Sequence, residues 1–312
     1  MGFQKTINNQ PAPGIAGDFA STNPRASMLA GPGALIAGAA GVTVGRFAWV
    51  DQSTGEAANN GIGVPDGFVS REMQAQITQW LAESGNVIQA GAPLTLFKSG
   101  DFWAEADTQA IPGQKVFAKY ADGSISTGDA GSPPQGASVT GSIAAATQAS
   151  VTASIAPSNT PDGRYGVTTM TVTAVGAGTL VEGAPIAGSG VVAGSKIVKQ
   201  LTGTAGGVGT YEINIPQTVA STTITSDYGI LTVTAVGSGA LGIGDVLSGS
   251  SVSAGNHIIS LGTGNGATGT YNVATGDSAA STTITATSAV ETPWYVESFA
   301  AAGEVFKIST RS

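Results

Sequence analysis

Cysteine is absent from the 312 residues, which removes disulfides, thiol nucleophiles and cysteine-bound zinc together. A single histidine, His257, excludes a histidine metal cluster. Charge is sparse: Asp, Glu, Lys and Arg make up 10% of the chain, against about a quarter in an average soluble domain. The twelve basic residues form no run, the net charge is −8, and the pI is about 4.5. A phosphate-backbone partner needs Lys and Arg clusters, so no nucleic acid partner is expected. Long apolar runs are lacking too. Residues 26–45 carry no charge, but Pro32 and five glycines dilute them, and no membrane helix is read there. Lys5 is followed by the polar INNQPAPG instead of an apolar stretch, so no signal peptide is read either.

What is present is Gly (46 residues), Ala, Ser, Thr and Val. That vocabulary disfavours helix and suits short strands and turns, and it predicts an all-β chain. Disorder is excluded for most of the length, because disordered chains carry more charge and fewer β-branched residues. The expected architecture is a small β-sandwich or barrel body with an extended N-terminal arm. Two tandem small β repeat domains are inserted before the C-terminal strand.

Residues 1–43 read as the arm. Pro11, Pro13, Pro24 and Pro32 interrupt helix and ladder alike, while Phe3, Phe19, Met28, Leu29, Leu35 and Ile36 are too apolar for a solvated linker. Such an arm lies along its own body or a neighbouring subunit. The body is expected at 44–127 plus 291–312, with a strand at 44–50. Over 71–84, Met73, Ile77, Trp80 and Leu81 fit helical spacing and Val69, Met73, Ala75 and Ile77 fit period two; the strand-like FVS before them favours strand. Residues 85–127 alternate apolar runs with turn residues and predict a meander, with a type I′ turn at Asp122-Gly123.

Residues 128–164 read as a Ser/Pro/Gly-rich linker holding at most a weak hairpin, from SVTGSI at 138–143 and SVTASI at 150–155. Two repeats follow, at 165–228 and 229–290. The stretch from Met170 (MTVTAVGAG) aligns with that from Leu231 (LTVTAVGSG). GTYEI at 209–213 aligns with GTYNV at 269–273, and STTIT at 221–225 recurs at 281–285. Each unit is expected to be a small sandwich or barrel. All four tryptophans and all nine phenylalanines lie outside 118–290. Their return in ETPWYVESFAAAGEVFKISTRS predicts that the chain re-enters the body, with Phe47, Trp49, Phe97, Trp103, Phe117, Trp294 and Phe306 in its core.

No catalytic constellation is read. Gly262, Gly264 and Gly266 imitate a phosphate loop but precede a strand instead of a helix, so a repeat turn is expected. His257 stands where the other repeat has Lys196 and reads as an outward strand residue. Glu105 and Asp107, two apart, read as a solvated face and not as a glycosidase pair. Neither a cofactor nor a metal is expected, and the chain is not expected to be an enzyme.

The arm FQKTINNQPAPGIAGDFASTNPRASMLAGPGALIAG (3–38), GRFAWVD (45–51), AGAPLTLFKSGDFWAEA (90–106) and WYVESFAAAGEVFKIST (294–310) together resemble tailed-phage structural cement, or head decoration, proteins. The resemblance skips about 129–290. It implies a non-enzymatic virion protein on the outer capsid surface, made in the bacterial host cytoplasm and bound to the major capsid protein of an HK97-type shell. It also implies a homo-oligomer, a trimer before a dimer. Phe3, Phe19, Arg25, Met28, Leu29, Leu35 and Ile36 become contact candidates on this reading. The competing readings are a glycan-binding adhesion module, whose repeats offer Tyr211, Tyr228 and Tyr271, and a tail or baseplate component.

Overall fold

The computed structural model describes residues 14–31, 33–52, 54–71, 86–158 and 167–310. Phe3 and the helix-or-strand question over 71–84, Arg71 apart, fall outside them. Among the described residues there is no helix, and the all-β class read from composition is what the structure shows. The chain divides into two compact units. One comprises Met1–Trp49, Ala57–Ser132 and Glu291–Ser312, and the other Val50–Glu56 and Pro133–Val290.

In chain order the first strands are β1 (Ala26–Ser27), β2 (Ile36–Ala37), β3 (Val42–Thr43), β4 (Phe47–Asp51), β5 (Glu56–Ala58) and β6 (Gly67–Val69). Then come β7 (Val87–Ile88), β8 (Leu96–Ser99), β9 (Asp101–Glu105), β10 (Lys115–Lys119) and β11 (Ile125–Gly128). The second unit supplies β12 (Gln135–Ala145), β13 (Ala149–Ser158), β14 (Val167–Ala177), β15 (Ile186–Gly188), β16 (Ile197–Gly203), β17 (Gly209–Ile213) and β18 (Val219–Ser226). It continues with β19 (Gly229–Gly239), β20 (Val246–Gly249), β21 (Ile258–Leu261), β22 (Gly269–Val273) and β23 (Ala279–Thr287). The chain closes with β24 (Ala289–Val296) and β25 (Val305–Ser309).

The first unit holds a six-stranded sheet ordered β1-β8-β6-β4-β5-β2, a five-stranded sheet ordered β11-β10-β24-β25-β9, and the pair β3-β7. Aromatic rings from both larger sheets interlock between them. The Phe68 ring centroid lies 5.5 Å from Phe47, 5.2 Å from Phe102 and 5.9 Å from Trp294. All four side chains are buried. Tilted and edge-on rings at these distances each add about 0.5–1.5 kcal/mol beyond the area they bury. Phe97, Phe117, Phe306 and, at its margin, Trp49 are buried in the same unit.

Three expectations for this unit are corrected. Residues 85–127 do not form a meander, because β24 and β25 stand between β10 and β9 in the sheet. The Asp122-Gly123 turn is not type I′, which needs φ > 0 at both residues. Only Gly123 has it, at 66°, and the loop from β10 to β11 is longer than two residues. Asp122 instead accepts the Ser124 N–H (3.0 Å) and the Arg46 guanidinium (2.7 Å). Trp103 is half-buried and does not join the core, because the pleat of β9 turns Phe102 and Ala104 inward. Lys307 Nζ lies 5.1 Å over the Trp103 ring.

The second unit contains two six-stranded sheets of one topology, β15-β18-β13-β14-β17-β16 and β20-β23-β12-β19-β22-β21. The 128–164 linker is therefore corrected. SVTGSI and SVTASI are neither a linker nor a hairpin but the third strand in order of separate sheets. Val151 faces Val175 and Ile224, as Val139 faces Val236 and Ile284. Alternating Val and Ile made them strands; only long-range pairing gave them their place. Each sheet closes on itself through an isolated bridge, Pro185 with Lys196 and Val246 with His257, so each of the two sheets is a small barrel with its own core. Ile155, Met170, Tyr211 and Ile224 belong to the first core, and Ile143, Leu231, Tyr271 and Ile284 to the second.

Candidate docking surface

The residues that imitate chemistry have structural partners. Asp107 is ion-paired with Lys119, so it is not poised as half of a carboxylate dyad with Glu105. His257 is half-buried, its Nδ1 2.9 Å from the Gly255 carbonyl oxygen, and burial pushes its pKa down. Gly264 faces the Tyr271 ring so closely that a Cβ would lie 2.3 Å from it. The Tyr271 hydroxyl accepts the Gly266 N–H at 2.9 Å and donates to the Ala267 carbonyl at 2.7 Å. The glycine-rich loop is thus shaped around a buried tyrosine. Among the described residues no group of three or more His, Cys, Asp or Glu is placed to hold a metal ion.

Two carboxylates are buried in the second barrel. Asp277 is pushed up by burial, but donors outweigh that and hold it below its usual range: the Ser253 N–H (2.8 Å), the Ser253 hydroxyl (2.6 Å) and the Asn256 amide (2.8 Å). The first barrel makes the same tie without charge, Gln217 accepting from Val192 N–H at 2.9 Å and donating to Ser195 at 2.6 Å. Asp245 is 2% exposed and accepts the Gly242 N–H at 2.8 Å. Burial raises its pKa to about 6. The aligned residue of the first barrel is Ala184.

The arm, as far as it is described, lies on its own body. The Gly17 N–H donates to Trp103 O (2.8 Å), the Trp103 N–H to Asp18 O (2.9 Å) and the Ala20 N–H to Asp101 O (2.9 Å), which adds a strand-like edge to β9. β1 then pairs with β8. Asp101 Oδ2 accepts Ser21 at 2.5 Å and Asn23 at 2.6 Å, and its other oxygen accepts Ser309 at 2.7 Å. The Phe19 ring packs edge-on to Phe97 at 5.5 Å, with the Arg25 guanidinium 3.9 Å over its other side. Met28 is half-buried and its N–H donates to Leu96 O. Leu35 is buried, and Ile36 is half-buried and bridged to Pro93. Of the seven contact candidates, Leu29 stands out, at 93% exposure.

A second apolar feature was not among those candidates. Phe299 is 64% exposed and Ile111 44%. Ala110 and Ala300 exchange two backbone hydrogen bonds, at 3.0 and 3.1 Å, a register that sets Ile111 opposite Phe299. Gly113 N–H to Val296 O and Val296 N–H to Gln114 O hold the base of the same loop at 2.9 Å each. An exposed aromatic beside backbone held by cross-chain hydrogen bonds has the make-up of an interface anchor. β24, in which Trp294 and Val296 are buried, ends at Val296, and Phe299 lies beyond it. By contrast Tyr211, Tyr228 and Tyr271 are all buried, so among the described residues of the repeats no exposed tyrosine is offered to a sugar ring.

The family model for the XM1 gp53 minor capsid protein matches residues 3–161, and the chain belongs to that family. It is a phage capsid-associated protein and a structural component of the virion, and membership of a structural family implies a non-enzymatic role. The match runs through β13 and so takes in residues 129–161, which the resemblance had skipped. A solved structure titled "The capsid of Myoviridae Phage XM1" is similar over 69% of this chain and 98% of its own, at 12% identity and a TM-score of 0.31, too slight a likeness to carry further weight. No curated protein matches.

Proposed function

We propose that the chain binds the outside of the phage shell through its first unit and cements neighbouring capsomers, the barrels being displayed and not bound to the shell. The observation that carries this reading is the exposure of Phe299 and Ile111 beside the hydrogen-bonded Ala110–Ala300 bridge, with Leu29 as a second exposed anchor. Family membership supplies the partner, since a minor capsid protein acts on a shell of capsid subunits. An apolar side chain buried in a partner's pocket is worth about 1.5–3 kcal/mol, and several anchors on one particle multiply through avidity. The oligomer we expect on the shell is a trimer at a lattice symmetry position.

The test mixes purified protein with expanded, undecorated capsids. Added density in cryo-EM and greater heat resistance of the capsids are expected from the native chain. Phe299→Ser with Leu29→Ser should keep the native circular dichroism and melting temperature while losing attachment. Attachment undiminished in that variant, or no density from the native chain, contradicts the reading.

A further inference from the structure

The two barrels are threaded one inside the other. β12 belongs to the second barrel, whose remaining strands begin only at β19. Every strand of the first barrel, β13 to β18, lies between them in sequence. At the point of interruption the parent strands are already side by side. Ala145 faces Gly229 in the β12–β19 register, and the Ala146 N–H donates to the Tyr228 carbonyl at 3.0 Å. The insert is closed just beyond. Gln148 Nε2 donates to both Asp227 carboxylate oxygens, at 2.8 and 2.9 Å, and Ala149 faces Ser226 in the first barrel's own β13–β18 pairing. The entrance and exit of the insert are thus paired within the insert, and those of the parent within the parent. Each barrel has a separate buried cluster with no residue in common.

We propose that the Ala145–Gly229 junction is a display site: a point on the second barrel that carries a self-contained folded module and that accepts a tight turn or another module in its place. Two antiparallel strands in register need only a two-residue connection, so the parent has no structural need of the residues that separate β12 from β19. A module qualifies for the site if its own termini are neighbours, as Ala149 and Ser226 are. What the site displays is therefore set independently of what folds the parent or anchors it. The proposal stands whether or not the first unit binds a shell.

Two variants of the full chain test it. In one, residues 147–227 are replaced by Asn-Gly, which joins Ala146 to Tyr228 through a type I′ turn. In the other, the same residues are replaced by an unrelated small domain with adjacent termini. Amide hydrogen exchange of β19 to β23 and of β9 and β25 is the readout. Protection within about tenfold of the full chain in either variant is the expected result. Loss of β19 to β23 protection in both overturns the proposal, because the second barrel then depends on this particular insert.

Discussion

Asp245 offers a measurement whose sign and size both follow from its surroundings. Its carboxyl is 2% exposed, with the Gly242 N–H as hydrogen-bond donor, and burial raises its pKa from 3.8 to about 6. A folded-state pKa above the unfolded value means the native chain binds this proton more tightly than the unfolded chain does. The stabilisation is complete below about pH 4 and is lost as the pH rises through 6. A shift of about two units corresponds to about 3 kcal/mol, the most that this group can remove from the second unit between pH 4 and pH 7. Asp245→Asn keeps an acceptor for Gly242 without a charge to desolvate, and the first barrel does without a carboxylate at Ala184. The expectation is a variant about 2–3 kcal/mol more stable at pH 7, equal to the native chain at pH 4, and without the native slope between. Urea titrations of both proteins at pH 4, 5, 6 and 7, followed by exchange in β20 and β23, measure it. Parallel stability curves for the two proteins across that range would refute the reasoning.

Ending the chain at residue 128 removes β24 and β25 from the middle of the five-stranded sheet, and with them Trp294, Phe306 and Ile308. Such a fragment should show no cooperative unfolding transition, and a soluble 1–128 fragment with a sharp one refutes the role given to the tail. Ile224→Asp places a charge in the core of the first barrel and should turn the insert into an unfolded loop of roughly 80 residues. Closing that loop in place of a tight connection costs the second barrel about 3 kcal/mol. The opening free energy read from native-state hydrogen exchange of β19 to β23 should fall by that amount, and unchanged protection would show that the insert does not act as a loop.

The all-β class was legible because composition alone decides it: a chain rich in Gly, Ser, Thr and Val and poor in Lys, Glu and Leu has little else to form. The two barrels were legible in the repeated MTVTAV and LTVTAV, but their first strands were not. SVTGSI and SVTASI are twelve residues apart, which suggests a hairpin, and only pairing with β19 and β14 sends them to different sheets. The body core was legible residue by residue where aromatics sit in phase with their strand, as Phe47 and Trp294 do. Trp103 misled because size was weighed without parity. Leu35 misled in the opposite sense, as an arm residue that turns out buried in its own unit. Phe299 lies in a tail read as re-entering the body, without a residue-by-residue reading of which side chains stay outside, and the Ala110–Ala300 bridge beside it joins residues far apart in sequence.

So weakly charged a chain needs another guard against joining its neighbours at random. Sheet proteins usually guard their edges with Lys, Glu or Pro, since an open edge recruits strands from other copies. With 10% charged residues that guard is thin, and in the barrels closure replaces it. The edge strands β15 and β16 are joined by the Pro185–Lys196 bridge and β20 and β21 by the Val246–His257 bridge, each bridge flanked by further backbone hydrogen bonds such as Ile186 N–H to Ser195 O and Leu247 N–H to Asn256 O, at 2.9 and 2.8 Å. In the first unit the arm covers the edge at β9. Among the exposed apolar side chains of the first unit, Leu29 and Phe299 are the most exposed, at 93% and 64%, and side chains of this kind favour docking into a shaped pocket over open-ended strand addition.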